Sequence, residues 1–161
     1  MTFPDDIARA VAAIHAAPPR LVYVFAGAGG LALYWLHAVA GSSRTLLEAR
    51  DCYAPRSLAE VAGGAPAQAA GAATAHAMAV WAHARAAELA EGPWPLLGVS
   101  CTAAIATDRE RRGADRAYVA VWDGRAPAAY ALSLLKTTPR LAQEDLVSRL
   151  VIDAVARACE V

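Results

Sequence analysis

Hydrophobic and polar positions along this chain fall into blocks whose spacing predicts five helices and five strands. Asp5 or Asp6 caps a first helix reaching about His15, and Pro18-Pro19 ends it. Leu21 to Phe25 is an unbroken apolar run of strand length, followed by Ala26-Gly27-Ala28-Gly29-Gly30. An apolar helix over Leu31 to Val39 stops at Gly41. Arg44 to Tyr53 reads as a strand with a polar edge, although Leu46-Leu47-Glu48-Ala49 alone suits a helix. Pro55 starts a short helix through Ala62, closed by Gly63-Gly64.

The longest helical stretch spans about Ala67 to Glu91 and is closed by Gly92-Pro93. Leu96 to Thr102 is a second buried strand, and Asp108 to Arg116 a charged loop. Ala117 to Trp122 and Ala128 to Leu135 alternate as paired strands around Asp123-Gly124, a hairpin turn. Leu141 to Cys159 is amphipathic, with Leu146, Leu150, Ile152 and Val155 expected on its buried side. That order predicts an α/β fold: a three-layer domain with a mixed, partly parallel sheet, and one domain over residues 1–161.

Composition narrows the function classes. The chain is 57% hydrophobic and only 19% charged, which excludes a disordered tail. Basic and acidic residues balance at 15 each, so no global field favours nucleic acid or a membrane surface. Leu21 to Ala40 carries no formal charge and imitates a membrane span. Gly27, Gly29 and Gly30 at its middle point instead to a buried strand, a tight turn and a buried helix. Cys52, Cys101 and Cys159 lack metal-ligand spacing and fit free thiols in a reducing cytosol. The acidic stretch Met1 to Asp6 argues against a signal peptide, so a cytoplasmic location is expected.

Candidate chemistry gathers at the glycine turn. A turn between a strand and a helix exposes N–H donors at the positive end of the helix dipole, a seat for phosphate or carboxylate; tight strand–helix packing without a ligand is the alternative. Gly27, Ala28, Gly29 and Gly30 are therefore ligand-binding candidates, with Thr102 at the end of the second buried strand. Arg109, Arg111 and Arg112 are a second set, able to grip phosphate oxygens or to pair with Asp108, Glu110 and Asp115 in a solvated loop. Tyr53 is placed to stack on a base. His76 and His83, seven apart, lack zinc-site spacing, and no metal or cofactor is expected.

Read together, the Gly29-Gly30 turn, Ala40-Gly41-Ser42-Ser43, Tyr53 and the Met78-Ala79 pair resemble the CinA C-terminal domain family, over nearly the whole chain. That family includes nicotinamide mononucleotide amidohydrolases. The resemblance implies a serine nucleophile where this chain has Ala26, and a glutamate before it where Phe25 stands. It implies a lysine where Leu58 stands, and a glycine-rich second loop where Ala106 to Gly113 run. An amidase needs an activated nucleophile, a base and oxyanion donors. Alanine provides no nucleophile. The leading expectation is thus a protein that binds a small anionic metabolite, a nucleotide such as nicotinamide mononucleotide, without the family's chemistry. An amidohydrolase using Ser42, Ser43 or Cys101 as a relocated nucleophile is a second reading, and a non-catalytic oligomeric scaffold a third. Dimerisation through an alanine-rich helix is expected alongside them.

Overall fold

The computed structural model describes residues 3–161; Met1 and Thr2 of the acidic N-terminal stretch lie outside the described residues. The elements run α1 (Asp5–Ala16), β1 (Arg20–Ala26), α2 (Gly30–Ala38), a 3₁₀ turn (Ser42–Arg44), β2 (Leu46–Asp51), α3 (Pro55–Ala62) and α4 (Ala72–Leu89). Then follow β3 (Leu96–Ala104), β4 (Asp115–Trp122), β5 (Pro127–Leu134) and α5 (Arg140–Ala158). All five strands join one sheet in the order β2-β1-β3-β4-β5. β1 is parallel to β2 and β3; β4 and β5 extend the sheet antiparallel. The fold is α/β, with a mixed sheet.

The apolar run of β1 hides an alternation because both faces of the sheet are covered. Leu21, Tyr23 and Phe25 enter a core shared with α1, α2 and α5. Val22, Val24 and Ala26 point the other way, into a smaller cluster built with α3 and α4. β3 divides likewise, with Leu97, Val99 and Cys101 in the first core, while the Ser100 and Thr102 hydroxyls donate to the Ala75 and Ala69 carbonyls beside α4.

Three expectations are corrected. The long helix begins at Ala72, not Ala67, because side chains satisfy the carbonyls of the preceding segment: Thr74 bonds Gln68, Thr102 bonds Ala69 and Arg116 bonds Ala70. The segment after α2 is a 3₁₀ turn followed by a shorter strand. Leu146 is 44% exposed, since α5 turns Val147, Val151 and Val155 toward the sheet, a stripe one position out of phase with Leu146.

Candidate functional site at the C-terminal ends of the parallel strands

Strand ends in an open α/β sheet border the place where ligands enter. Here β1 ends at Ala26, β2 at Asp51 and β3 at Ala104, and the chain turns sharply after β1. Gly27 and Gly29 hold φ of +86° and +105°, which a side chain would strain. A Cβ at Gly27 would also collide with the Ala103 carbonyl, and one at Gly29 with the Tyr23 hydroxyl. The glycines therefore let β1 turn tightly over β3 and Tyr23, and the Tyr23 hydroxyl donates to the Gly29 carbonyl (3.0 Å).

Two of the N–H donors here, those of Gly29 and Leu31, already have an anion. Gly29 N–H donates to both carboxylate oxygens of Glu144 (3.0 and 3.2 Å), and Leu31 N–H donates to Glu144 Oε1 (3.0 Å). Ser148, one turn further along α5, accepts from Ala32 N–H and donates its hydroxyl to Glu144 Oε1 (2.9 Å). α2 is thus capped from α5 rather than by its own N-cap, which is Gly29. Glu144 was not among the sequence candidates; a cap from a residue this distant in sequence has no local signature.

Ala26 and Leu58, the positions where the resemblance implies a nucleophile and a lysine, are both buried. They belong to one apolar cluster with Cys52, Val61 and Met78. Thr102 is buried, and its hydroxyl donates to the Ala69 carbonyl. Cys101 lies on the other face of β3, fully buried, and burial followed by the Glu144 charge pushes its thiol far above the ordinary range. Such a thiol holds almost no thiolate at neutral pH. Ser42 and Ser43 precede β2, which runs parallel to β1, and the adjoining Thr45 carbonyl accepts from Leu21 N–H. They therefore sit at the opposite end of the strands from the turn and do not reach it.

Tyr53 follows β2 at the same end as the turn and is 68% exposed. Nearby Asp51 ends β2, and burial, then the Glu144 charge, raises its carboxyl above the usual range. The arginine loop divides in two. Arg111 pairs with Asp115 and also donates to the Ile105 carbonyl. Lys136 reaches Asp115 and the Arg111 and Gly113 carbonyls, while Arg140 donates to the Ala106 carbonyl. Gln143, fully buried, joins this hub: it accepts from Ala106 N–H (2.7 Å) and donates to Asp115 and to the Leu135 carbonyl (3.0 Å each). Gln143 first, then Lys136, holds the Asp115 carboxyl below its usual range despite burial. Arg109 and Arg112 remain exposed. A cavity of about 330 Å³ opens here, lined by Ala106 to Arg111, Asp115 and Lys136.

No family model and no curated protein matches the chain. Solved structures do. The competence/damage-inducible protein CihA from Agrobacterium tumefaciens superposes with a TM-score of 0.77 at 17% identity, over 100% of this chain and 99% of that one. The fold is CinA-like. A CinA superfamily protein from Klebsiella pneumoniae gives 0.73 at 14% identity, covering 96% of each chain. One from Escherichia coli gives 0.72 at 14%, over 100% of this chain and 95% of that one. Among the described residues, no helix is long and apolar enough to cross a membrane, and no group of three or more metal-ligating side chains converges.

Proposed function

We propose that this chain is a single-domain CinA-like protein of the cytoplasm that has left serine-amidase chemistry and binds a small anionic metabolite of the nucleotide class. The observation that carries this reading is the burial of Ala26 and Leu58 in one apolar cluster with Met78. The family resemblance puts nucleophile and base at those two positions, and here they form core. Catalysis by a positioned acid–base pair requires reach to the substrate, which packed side chains do not have.

Because Glu144 already occupies the Gly29 and Leu31 donors with a negative charge, the ligand's phosphate goes to the exposed guanidinium groups of Arg109 and Arg112, beside the cavity of the 106–115 segment. Tyr53 offers an exposed ring at the same end of the sheet for stacking. A relocated nucleophile has no support from the placement of Ser42, Ser43 or Cys101. The scaffold reading draws on a different observation, an exposed and uncharged strand at the sheet edge.

The test is titration calorimetry with nicotinamide mononucleotide, adenosine monophosphate and inorganic phosphate, alongside mass spectrometry for deamidated product. Heat of binding without product is expected, and Arg109→Ala with Arg112→Ala should weaken affinity at least tenfold, about 1.4 kcal/mol. Ala26→Ser should not start turnover, because Leu58 supplies no base. Product formed by the purified wild-type protein would overturn the non-hydrolytic reading, and no binding of any of the three compounds would overturn the ligand.

A further inference from the structure

The two edges of the sheet are built in opposite ways. An edge strand presents unpaired N–H and C=O groups, and proteins guard such edges with charge, short length, proline or bulges. The β2 edge has six residues, three of them charged. Glu48 pairs with Arg85 (2.9 Å) and lies 3.6 Å from Arg50, whose guanidinium sits over the Trp81 ring. β5 shows none of this. Its eight residues, Pro127-Ala-Ala-Tyr-Ala-Leu-Ser-Leu134, carry no charge, and its proline is at the first position, where a strand tolerates it. It pairs with β4 in unbroken register and, among the described residues, with nothing on its other side. Tyr130 and Leu132 face the main core yet stay half-exposed, so the apolar layer is open along the same edge.

We propose that β5 is the interface through which two copies of this chain join, antiparallel and two-fold symmetric, turning two five-stranded sheets into one continuous sheet. A strand satisfies both unmet requirements at once, backbone pairing and cover for Tyr130 and Leu132. A second copy fits because the sequence is self-complementary. Opposed residues in an antiparallel pair share a face, so a two-fold axis through β5 must pass opposite a residue. Centred on Ala131, it sets Ala131 against Ala131 and Ala129 against Ser133 on the exposed face. On the core face it sets Tyr130 against Leu132. In these three central pairs small meets small and large meets large; Ala128 meets Leu134 at the margin, and no like charges oppose within the strand. A two-fold contact of this kind closes at the dimer, leaving no β5 edge for further addition.

The test is analytical ultracentrifugation of the wild-type chain from about 1 to 100 μM, with variants at exposed positions. A species of twice 16.7 kDa is expected. Ala131→Lys places two like charges opposite each other and should yield a monomer with unchanged circular dichroism and Tm. Ala131→Cys should form a disulfide-linked dimer under mild oxidation, whereas Ala87→Cys, exposed on α4, should not; the native Cys52, Cys101 and Cys159 are buried. A wild-type monomer throughout that range would overturn the proposal. So would a dimer that survives Ala131→Lys with no cross-link at position 131, which would assign the contact to another surface such as the apolar groove of Leu31, Leu141 and Leu146.

Discussion

The two sides of the sheet use polar side chains differently. On the α3/α4 side, Ala26, Leu58, Met78, Ala82 and Ala86 pack without a polar partner, and the nearby Ser100 and Thr102 hydroxyls end on main-chain carbonyls. On the α1/α2/α5 side, Glu144 and Ser148 hold α2, Gln143 and Asp115 tie α5 to the loop after β3, and His15 bridges Thr45 and Leu36. The cluster in which the family resemblance would put a nucleophile is apolar, and the charged groups of that side, Glu48, Arg50 and Arg85, pair with one another by the β2 edge. On the other side the polar groups lie deep and mostly bond to backbone. This sheet therefore teaches that one face can be closed by apolar packing while the opposite face is held by a set of polar clamps.

The largest test of that contrast is on the polar side. Gln143→Leu strips a partner from Ala106 N–H and from the buried Asp115 carboxylate, while the Leu135 carbonyl keeps Thr138 N–H. At about 1–3 kcal/mol for each group left unsatisfied, a loss of about 4 kcal/mol is expected in urea unfolding. On the α3/α4 side, Met78→Ala should cost about 3 kcal/mol through the cavity it leaves, with no change in ligand heat. If Met78→Ala instead abolished binding, the ligand would lie against α4 and the two sides would not be as different as drawn. Glu144→Ala should cost about 2 kcal/mol, in the range of a lost helix cap, and should speed hydrogen exchange at Gly29 and Leu31.

The smallest effect comes from pH. Burial first lowers the affinity of the His15 ring for a proton, so the folded form binds it less readily than the unfolded chain does. That contribution to stability is complete above the unfolded value of about 6.5 and is lost progressively as pH falls below it. His15→Gln should flatten the urea midpoint between pH 7 and 5. A profile of unchanged slope would place the acid sensitivity elsewhere.

Much of the fold was legible because local rules and tertiary packing agreed. The β1–turn–α2 unit shows as an apolar run broken by glycines, and the turns after β1 and β4 use glycine at positive φ. Legibility failed where distant side chains decide the outcome. Ala67 to Gly71 has helical composition, but hydroxyl and guanidinium donors from Thr74, Thr102 and Arg116 occupy its carbonyls and leave it non-helical. On α5, Ile152 and Val155 are buried as the amphipathic pattern predicts, while Leu146 is exposed because the stripe that meets the sheet runs through Val147, Val151 and Val155. At the site, the glycine turn and Tyr53 could be placed at one end of the sheet by strand order. Glu144 could not, since nothing near residue 29 announces it. Gln143 and Ser148 do leave a trace: they are polar residues at helical spacing with the buried valines of α5.

Gly29 and Glu144 are 115 residues apart, so the cap of α2 also sets a timetable. A ribosome releases the first strand, its turn and α2 long before the last helix exists. Until α5 emerges, the donors at Gly29 and Leu31 have only water, and the apolar face that α5 covers is open. The nascent chain therefore commits late, at the C-terminal helix, and a chain cut before Arg140 is expected to need chaperone protection rather than fold alone.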